Sequence, residues 1–256
     1  MSGESKREAA RKRIAEKRAA EAAARAAAER RRRTVLGGAV AAAVLVIALV
    51  VVFVVQSSRT STDADAAAPA GTVDTGYAFA VGQDDAPVTL DVYEDFQCPV
   101  CAAFEAQTGD TIDQLVEAGN VQVRYHGMAF LDTSANDQYS TRALNAAAVV
   151  ADNAGTDAYA QFHDLLFANQ PEEGGSGLTD DQLIAYALQA GASGTAVESG
   201  IEDLVYGDWV AGATDQASQD QVNSTPTVFV DGVPLDNTTQ LTPEGITAAV
   251  EAAAQG

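Results

Sequence analysis

The chain has 256 residues, 47% hydrophobic and 20% charged, with a net charge of −21. Positions 1–34 hold 12 of the 15 basic residues beside 5 acids, whereas everything from Arg59 onward holds 3 basic residues and 31 acids, so this is not one continuous domain. The acidic part argues against nucleic-acid binding, which needs clustered Lys and Arg, and 2 cysteines exclude a disulfide-rich scaffold.

Residues 1–34 are rich in Ala, Glu, Arg and Lys, strong helix formers, and neither Pro nor Gly interrupts Glu4 to Arg33. They read as a solvated, charged helix on the cytoplasmic side whose charges fix the membrane orientation, with contact of Arg30 to Arg33 with anionic lipid headgroups as the alternative. Residues 35–55 are 21 uncharged positions, about 31 Å of helix, which matches the hydrocarbon core of a bilayer. The run is longer than the apolar core of a cleaved signal peptide, which favours a retained anchor, while the small residues Ala67 to Ala70 leave cleavage as the alternative. Basic residues precede it, so the N-terminus is expected inside and the C-terminal part outside. Residues 56–75 have the Ser, Thr, Asp, Ala and Gly composition of a flexible linker. Residues 76–256 have the length of one domain.

Within that domain, residues 88–96 alternate apolar and polar positions and predict a strand. Residues 99–118 predict a helix, with Gly109 as a candidate kink and Gly119-Asn120 as its stop. Residues 121–125 predict a second strand, and strand, helix, strand in succession favours a parallel pair. About 95 residues of helical pattern follow. Ser134 is a candidate N-cap, Tyr159, Phe162, Leu165 and Leu166 share a face, Thr179 with Gln182 forms a capping box, and Thr195 with Glu198 opens a further helix. Strand periodicity returns at Thr227–Val230, with Asp231-Gly232 as a hairpin turn. Thr242-Pro243-Glu244 opens a last helix.

The chemistry concentrates in Cys98-Pro99-Val100-Cys101, where a strand ends and a helix begins. A helix N-terminus offers unpaired N–H groups and partial positive charge, which stabilise a thiolate. Cys98 is expected to be exposed at the tip, with Cys101 on the same side of the helix and able to close on it, the arrangement thiol–disulfide exchange requires. Other readings carry less. A structural disulfide over so short a loop stabilises by only about 2 kcal/mol. Zinc needs two more ligands, and His126 and His163 are lone residues in unrelated elements, read as packed or capping. Trp209 and Tyr206 suit either a helical core or the wall of a groove.

Three stretches, APVTLDVYEDFQCPVC (86–101), AQFHDLLF (160–167) and STPTVFVDG (224–232), together resemble the DsbA-like thioredoxin-fold thiol–disulfide oxidoreductases, in particular the membrane-anchored Gram-positive and actinobacterial forms. The resemblance covers about residues 76–256. It implies an α/β thioredoxin-like fold with a helical cap domain inserted at about residues 129–223. It makes Cys98 the attacking cysteine, Cys101 the resolving one, and Pro226 a cis-proline beside them. Pro99, Val100, Thr225 and Pro226 then line the substrate groove. It implies no metal and no organic cofactor, and its partners are exported or unfolded proteins bearing thiols and a membrane-bound reoxidant. The direction expected is disulfide introduction at the outer face of the cell membrane, with a reductase or isomerase as the alternative and a non-catalytic binding module or chaperone as a further one. Two positions depart from the family. Where relatives carry a buried acid six residues before the first cysteine stands Val92, leaving Glu94 and Asp95 as candidate proton relays. Where strongly oxidising relatives often have His stands Val100.

Overall fold

The computed structural model describes residues 66–237 and 239–255. The expected helix at 1–34, the apolar span at 35–55 and the linker as far as residue 65 lie outside the described residues. Among the described residues no helix is long and apolar enough to cross a membrane.

Alternation at Val88, Leu90 and Val92 forms a central strand whose apolar side chains are almost wholly buried. Numbered in chain order, the strands are β1 (Thr72–Val73), β2 (Ala78–Val81), β3 (Val88–Glu94), β4 (Val121–Gly127), β5 (Thr227–Val230) and β6 (Val233–Pro234). They form one sheet in the order β1-β2-β4-β3-β5-β6. The predicted parallel pair is β3 with β4, in register from Val88 opposite Val121 to Glu94 opposite Gly127. The helix between them, α1 (Pro99–Glu117), is the crossover. β5 runs antiparallel to β3, with Tyr93 opposite Thr227, so the segment before β5 arrives where β3 delivers the chain to Cys98.

The long helical region lies between β4 and β5 as an insertion: α2 (Tyr139–Ala154), α3 (Thr156–Ala168), α4 (Asp180–Gln189), α5 (Thr195–Glu202) and α6 (Gly207–Gln219). The last helix, α7 (Pro243–Ala253), packs on α1 and β5. Phe79, Leu90, Tyr159, Phe162, Leu183 and Trp209 belong to one continuous core that joins sheet and insertion. Truncating a residue such as Leu90, wholly buried here, costs about 2–5 kcal/mol.

Several local signals act as expected. Thr179 and Gln182 form a reciprocal capping box, and the Thr242 hydroxyl accepts from Gly245 N–H. Asp231 and Gly232 turn the β5–β6 hairpin with φ of 48° and 75°, the doubly positive pair such a two-residue turn demands.

Other expectations need correction. Gly109 does not kink α1, which runs unbroken past it. Ser134 does not cap α2; the Asp132 carboxylate accepts from the N–H groups of Ser140 and Thr141 and does that work. The sheet begins inside the stretch read as linker. β1 pairs with β2, Ala70 N–H donates to Asp152, and Arg124 pairs with Asp74 at 2.9 Å. Trp209 is core rather than groove wall: it packs on Phe79 and its ring N–H donates to Gly76 C=O at 2.7 Å.

Candidate active site: a dithiol at the tip of α1

β3 ends at Glu94, and four residues carry the chain to α1. Asp95 organises that turn. One carboxylate oxygen accepts from Gln97 N–H at 2.8 Å and from the Ser140 hydroxyl at 2.7 Å, and the other accepts from Leu131 N–H at 2.9 Å. Burial pushes the Asp95 pKa up to about 6, against the opposing pull of these hydrogen bonds. Its oxygens are therefore taken up in bracing the loop. The Gln97 side chain, also buried, donates to Gly175 C=O and accepts from Asn136, tying the turn to the insertion.

Cys98 is the N-cap of α1 in an extended conformation, and Pro99 occupies the first helical position, where a missing N–H costs nothing. Cys98 and Cys101 are both free thiols. Contrary to expectation, Cys98 is not exposed: only 6% of its surface is accessible, because the loop ahead of β5 closes over it. The Cys98 sulfur lies 3.6 Å from Thr225 C=O. The Thr225-Pro226 peptide is cis, and Asn237 holds Pro226 C=O at 3.1 Å. Of the predicted groove residues, Thr225 meets the Cys98 sulfur; Pro99 and Val100 stand exposed, Val100 at 61%, whereas Thr225 is half-buried and Pro226 buried.

The two thiols are electrostatically unequal. A hydrogen bond from the Cys101 thiol, with smaller contributions from the Thr225 side chain and the N–H groups of Cys101 and Val100, lowers the Cys98 pKa to about 5 against the cost of burial. The same pairing and burial push Cys101 far upward. Cys98 is therefore a thiolate at neutral pH without a cation in the dipeptide, and Cys101 holds its proton.

Sequence reasoning overlooked several neighbours. The Gln170 side chain donates to Phe96 C=O and to Cys98 C=O, clamping the turn from the insertion; nothing in its sequence context marks it. His163, read as a packed or capping residue, is wholly buried and meets Glu94 at 2.7 Å. Burial alone would discharge its imidazole, but the carboxylates of Glu94, Asp164 and Glu105 outweigh that and raise its pKa well above the usual value. His126 belongs to β4 rather than following it; it stacks on Tyr93 and contacts Asp91 at 3.0 Å.

Comparison with known proteins agrees with this geometry. The thioredoxin family model matches residues 74–252. The chain is 37% identical over 121 residues to the serine/threonine-protein kinase PknE of Mycobacterium tuberculosis, a match covering 46% of this chain but only 21% of that protein. It spans about a fifth of the length of that curated relative. Among solved structures it resembles the reduced disulfide bond oxidoreductase DsbG of M. tuberculosis, with 31% identity, a TM-score of 0.63, and 76% and 92% of the two chains covered. It also resembles reduced DsbA from the same organism, with 30% identity, a TM-score of 0.59, and 70% and 98% covered. With its redox pair at a helix tip and a cis-proline loop beside it, the chain belongs to the thioredoxin family, among its DsbA-type thiol–disulfide oxidoreductases.

Proposed function

We propose that this protein introduces disulfides into exported polypeptides at the outer face of a membrane, with Cys98 and Cys101 as the exchanging couple. The observation that carries the reading is the Cys98 sulfur, held between the α1 N-terminus and Thr225 with its pKa drawn down to about 5. A couple whose reduced form is stabilised as a thiolate gives up its disulfide readily, because the low-pKa sulfur is a good leaving group.

In the forward reaction a substrate thiolate attacks Cys98 Sγ. The Cys98–Cys101 bond breaks, and Cys101 leaves with the electron pair and takes a proton. The second substrate thiolate then attacks the substrate sulfur of the mixed disulfide, and Cys98 departs as a thiolate. Two substrate thiols become one disulfide and the enzyme couple becomes a dithiol. Of the two protons given up, one rests on Cys101 and the other passes to solvent. The extended backbone before β5 offers its edge to a substrate chain by strand addition, with Pro99 and Val100 as the opposite lip. A membrane-bound reoxidant restores the Cys98–Cys101 disulfide. Residues 35–55 anchor the protein with its N-terminus in the cytoplasm and its acidic catalytic domain outside.

The roles separate in two variants. Cys101→Ala is expected to accumulate long-lived mixed disulfides through Cys98 when cell extracts are resolved on non-reducing gels, and Cys98→Ala is expected to trap little. Equal trapping by the two variants would contradict the assignment.

A further inference from the structure

Behind the redox pair, three side chains from three elements meet in the interior: Glu94 at the end of β3, Glu105 in α1 one turn beyond Cys101, and His163 in α3. One carboxylate oxygen from each Glu and one ring nitrogen of His163 lie within 4.8 Å of one another. Glu94 and His163 are each only 1% exposed. Glu94 Oε1 meets His163 Nε2 at 2.7 Å, yet Glu94 Oε2 and Glu105 Oε1 are buried with no hydrogen-bond partner. Buried oxygens without a hydrogen-bond partner are unfavourable until something engages them. Among the described residues the only basic group near them is His163 itself, which reaches Glu94 through Oε1 alone. The arginines among the described residues, Arg124 and Arg142, pair with Asp74 and Asp180 elsewhere.

The opposite edge of the imidazole is also held. His163 Nδ1 faces Asp164 Oδ1 at 3.3 Å, which turns Nε2 toward the two glutamates. A carboxylate behind a histidine in this way is how metal-binding imidazoles are oriented. A cleft of about 320 Å³, lined in part by Glu105, Asp110, Asp113 and Asp164, reaches Glu105 from solvent and is rich in acidic side chains.

We propose that Glu94, Glu105 and His163 form a binding site for one divalent cation of the zinc class. Two carboxylate oxygens and one imidazole nitrogen suit such a borderline ion, with water completing the shell. Bond lengths of about 2.0–2.2 Å place tetrahedral ligands about 3.4 Å apart, so atoms up to 4.8 Å apart close by at most about 1.4 Å while the 2.7 Å Glu94–His163 contact opens by about 0.7 Å. Binding displaces two protons to solvent, one from the imidazole and one from Glu105, whose carboxyl burial pushes up to about 8; it engages the orphaned oxygens and changes no oxidation state. Because the ligands come from β3, α1 and α3, the ion braces the helix that carries Cys98 and Cys101 against the inserted helices. The site does not depend on the direction of disulfide exchange.

The test uses the full-length chain in detergent, oxidised so that neither cysteine can bind metal, stripped with EDTA and titrated with zinc chloride against a chromophoric chelator. Wild type is expected to bind one equivalent, and cobalt in its place is expected to give visible d–d absorption. His163→Lys keeps a cation opposite Glu94 but supplies no neutral nitrogen, and Glu105→Gln removes one charged ligand. Each is expected to weaken binding at least tenfold and to lose the cobalt spectrum, judged in whichever variant melts cooperatively near the metal-free wild type. Wild-type affinity in those folded variants, or no stoichiometric binding by wild type, would overturn the proposal.

Discussion

The Cys98 sulfur concentrates the chemistry of this molecule, and its pH behaviour is measurable. Its folded pKa of about 5 lies below the value of about 8.5 expected in the unfolded chain. A depressed folded pKa stabilises the reduced fold fully above the unfolded pKa, and that stabilisation is lost as pH falls through the folded one. At pH 7 it amounts to about 2.7 kcal/mol, two decades at about 1.36 kcal/mol each. The oxidised form lacks this titration, whereas Asp95 titrates in both forms and cancels between them. The melting temperature of the reduced domain minus that of the oxidised one is therefore expected to rise from about pH 5 to pH 8, by about 2–4 °C for each kcal/mol. A flat difference over that window would remove the activated thiolate. The placement of Cys98 was legible because four adjacent residues at a strand-to-helix junction dictate it. Its burial was not, because the loop that covers it, Thr225-Pro226, lies 127 residues away in sequence.

Among the elements, the turn between β3 and α1 is the piece on which the dithiol stands, and Asp95 is its keystone. Asp95→Ala strands the N–H groups of Gln97 and Leu131 and the Ser140 hydroxyl in a buried site. At about 1–3 kcal/mol for each orphaned group, the variant is expected to lose at least about 3 kcal/mol in urea denaturation, whereas Ser140→Ala, which removes one donor, is expected to lose about 1 kcal/mol. Similar losses in both would show that the bracing runs through other contacts. Strands with strict alternation, such as β3, and turns with a fixed chemistry, such as Asp231-Gly232, were readable from the residues alone. β1 and β2 were not: two and four residues long, they carry no period, and their existence depends on pairing with β4. The Asp132 cap of α2 was hidden for a related reason, since its carboxylate reaches forward across eight residues rather than three. The Glu94, Glu105 and His163 cluster was equally invisible, because the Glu94–His163 contact joins residues 69 apart and no motif spacing marks it.

At the scale of the whole molecule, the inserted helices and the thioredoxin sheet share one core, and the insertion reaches the redox turn through Gln170, Asn136 and Ser140. Cap and catalytic body are therefore expected to act as one unit around Cys98, and the reduction potential of the couple reports how that unit treats the thiolate. Thioredoxin, with an attacking pKa near 7, has a potential of about −270 mV. At pH 7 a Cys98 pKa of about 5 adds about 1.7 decades of thiolate stabilisation, about 50 mV at about 29.6 mV per decade, which places the couple at about −220 mV. Equilibrating the purified chain with defined ratios of reduced and oxidised glutathione, and reading the fraction of Cys98–Cys101 disulfide by thiol alkylation and mass spectrometry, measures this directly. The account predicts a midpoint at or above about −220 mV, more oxidising than thioredoxin; a midpoint at or below about −270 mV would identify a reductase and contradict it.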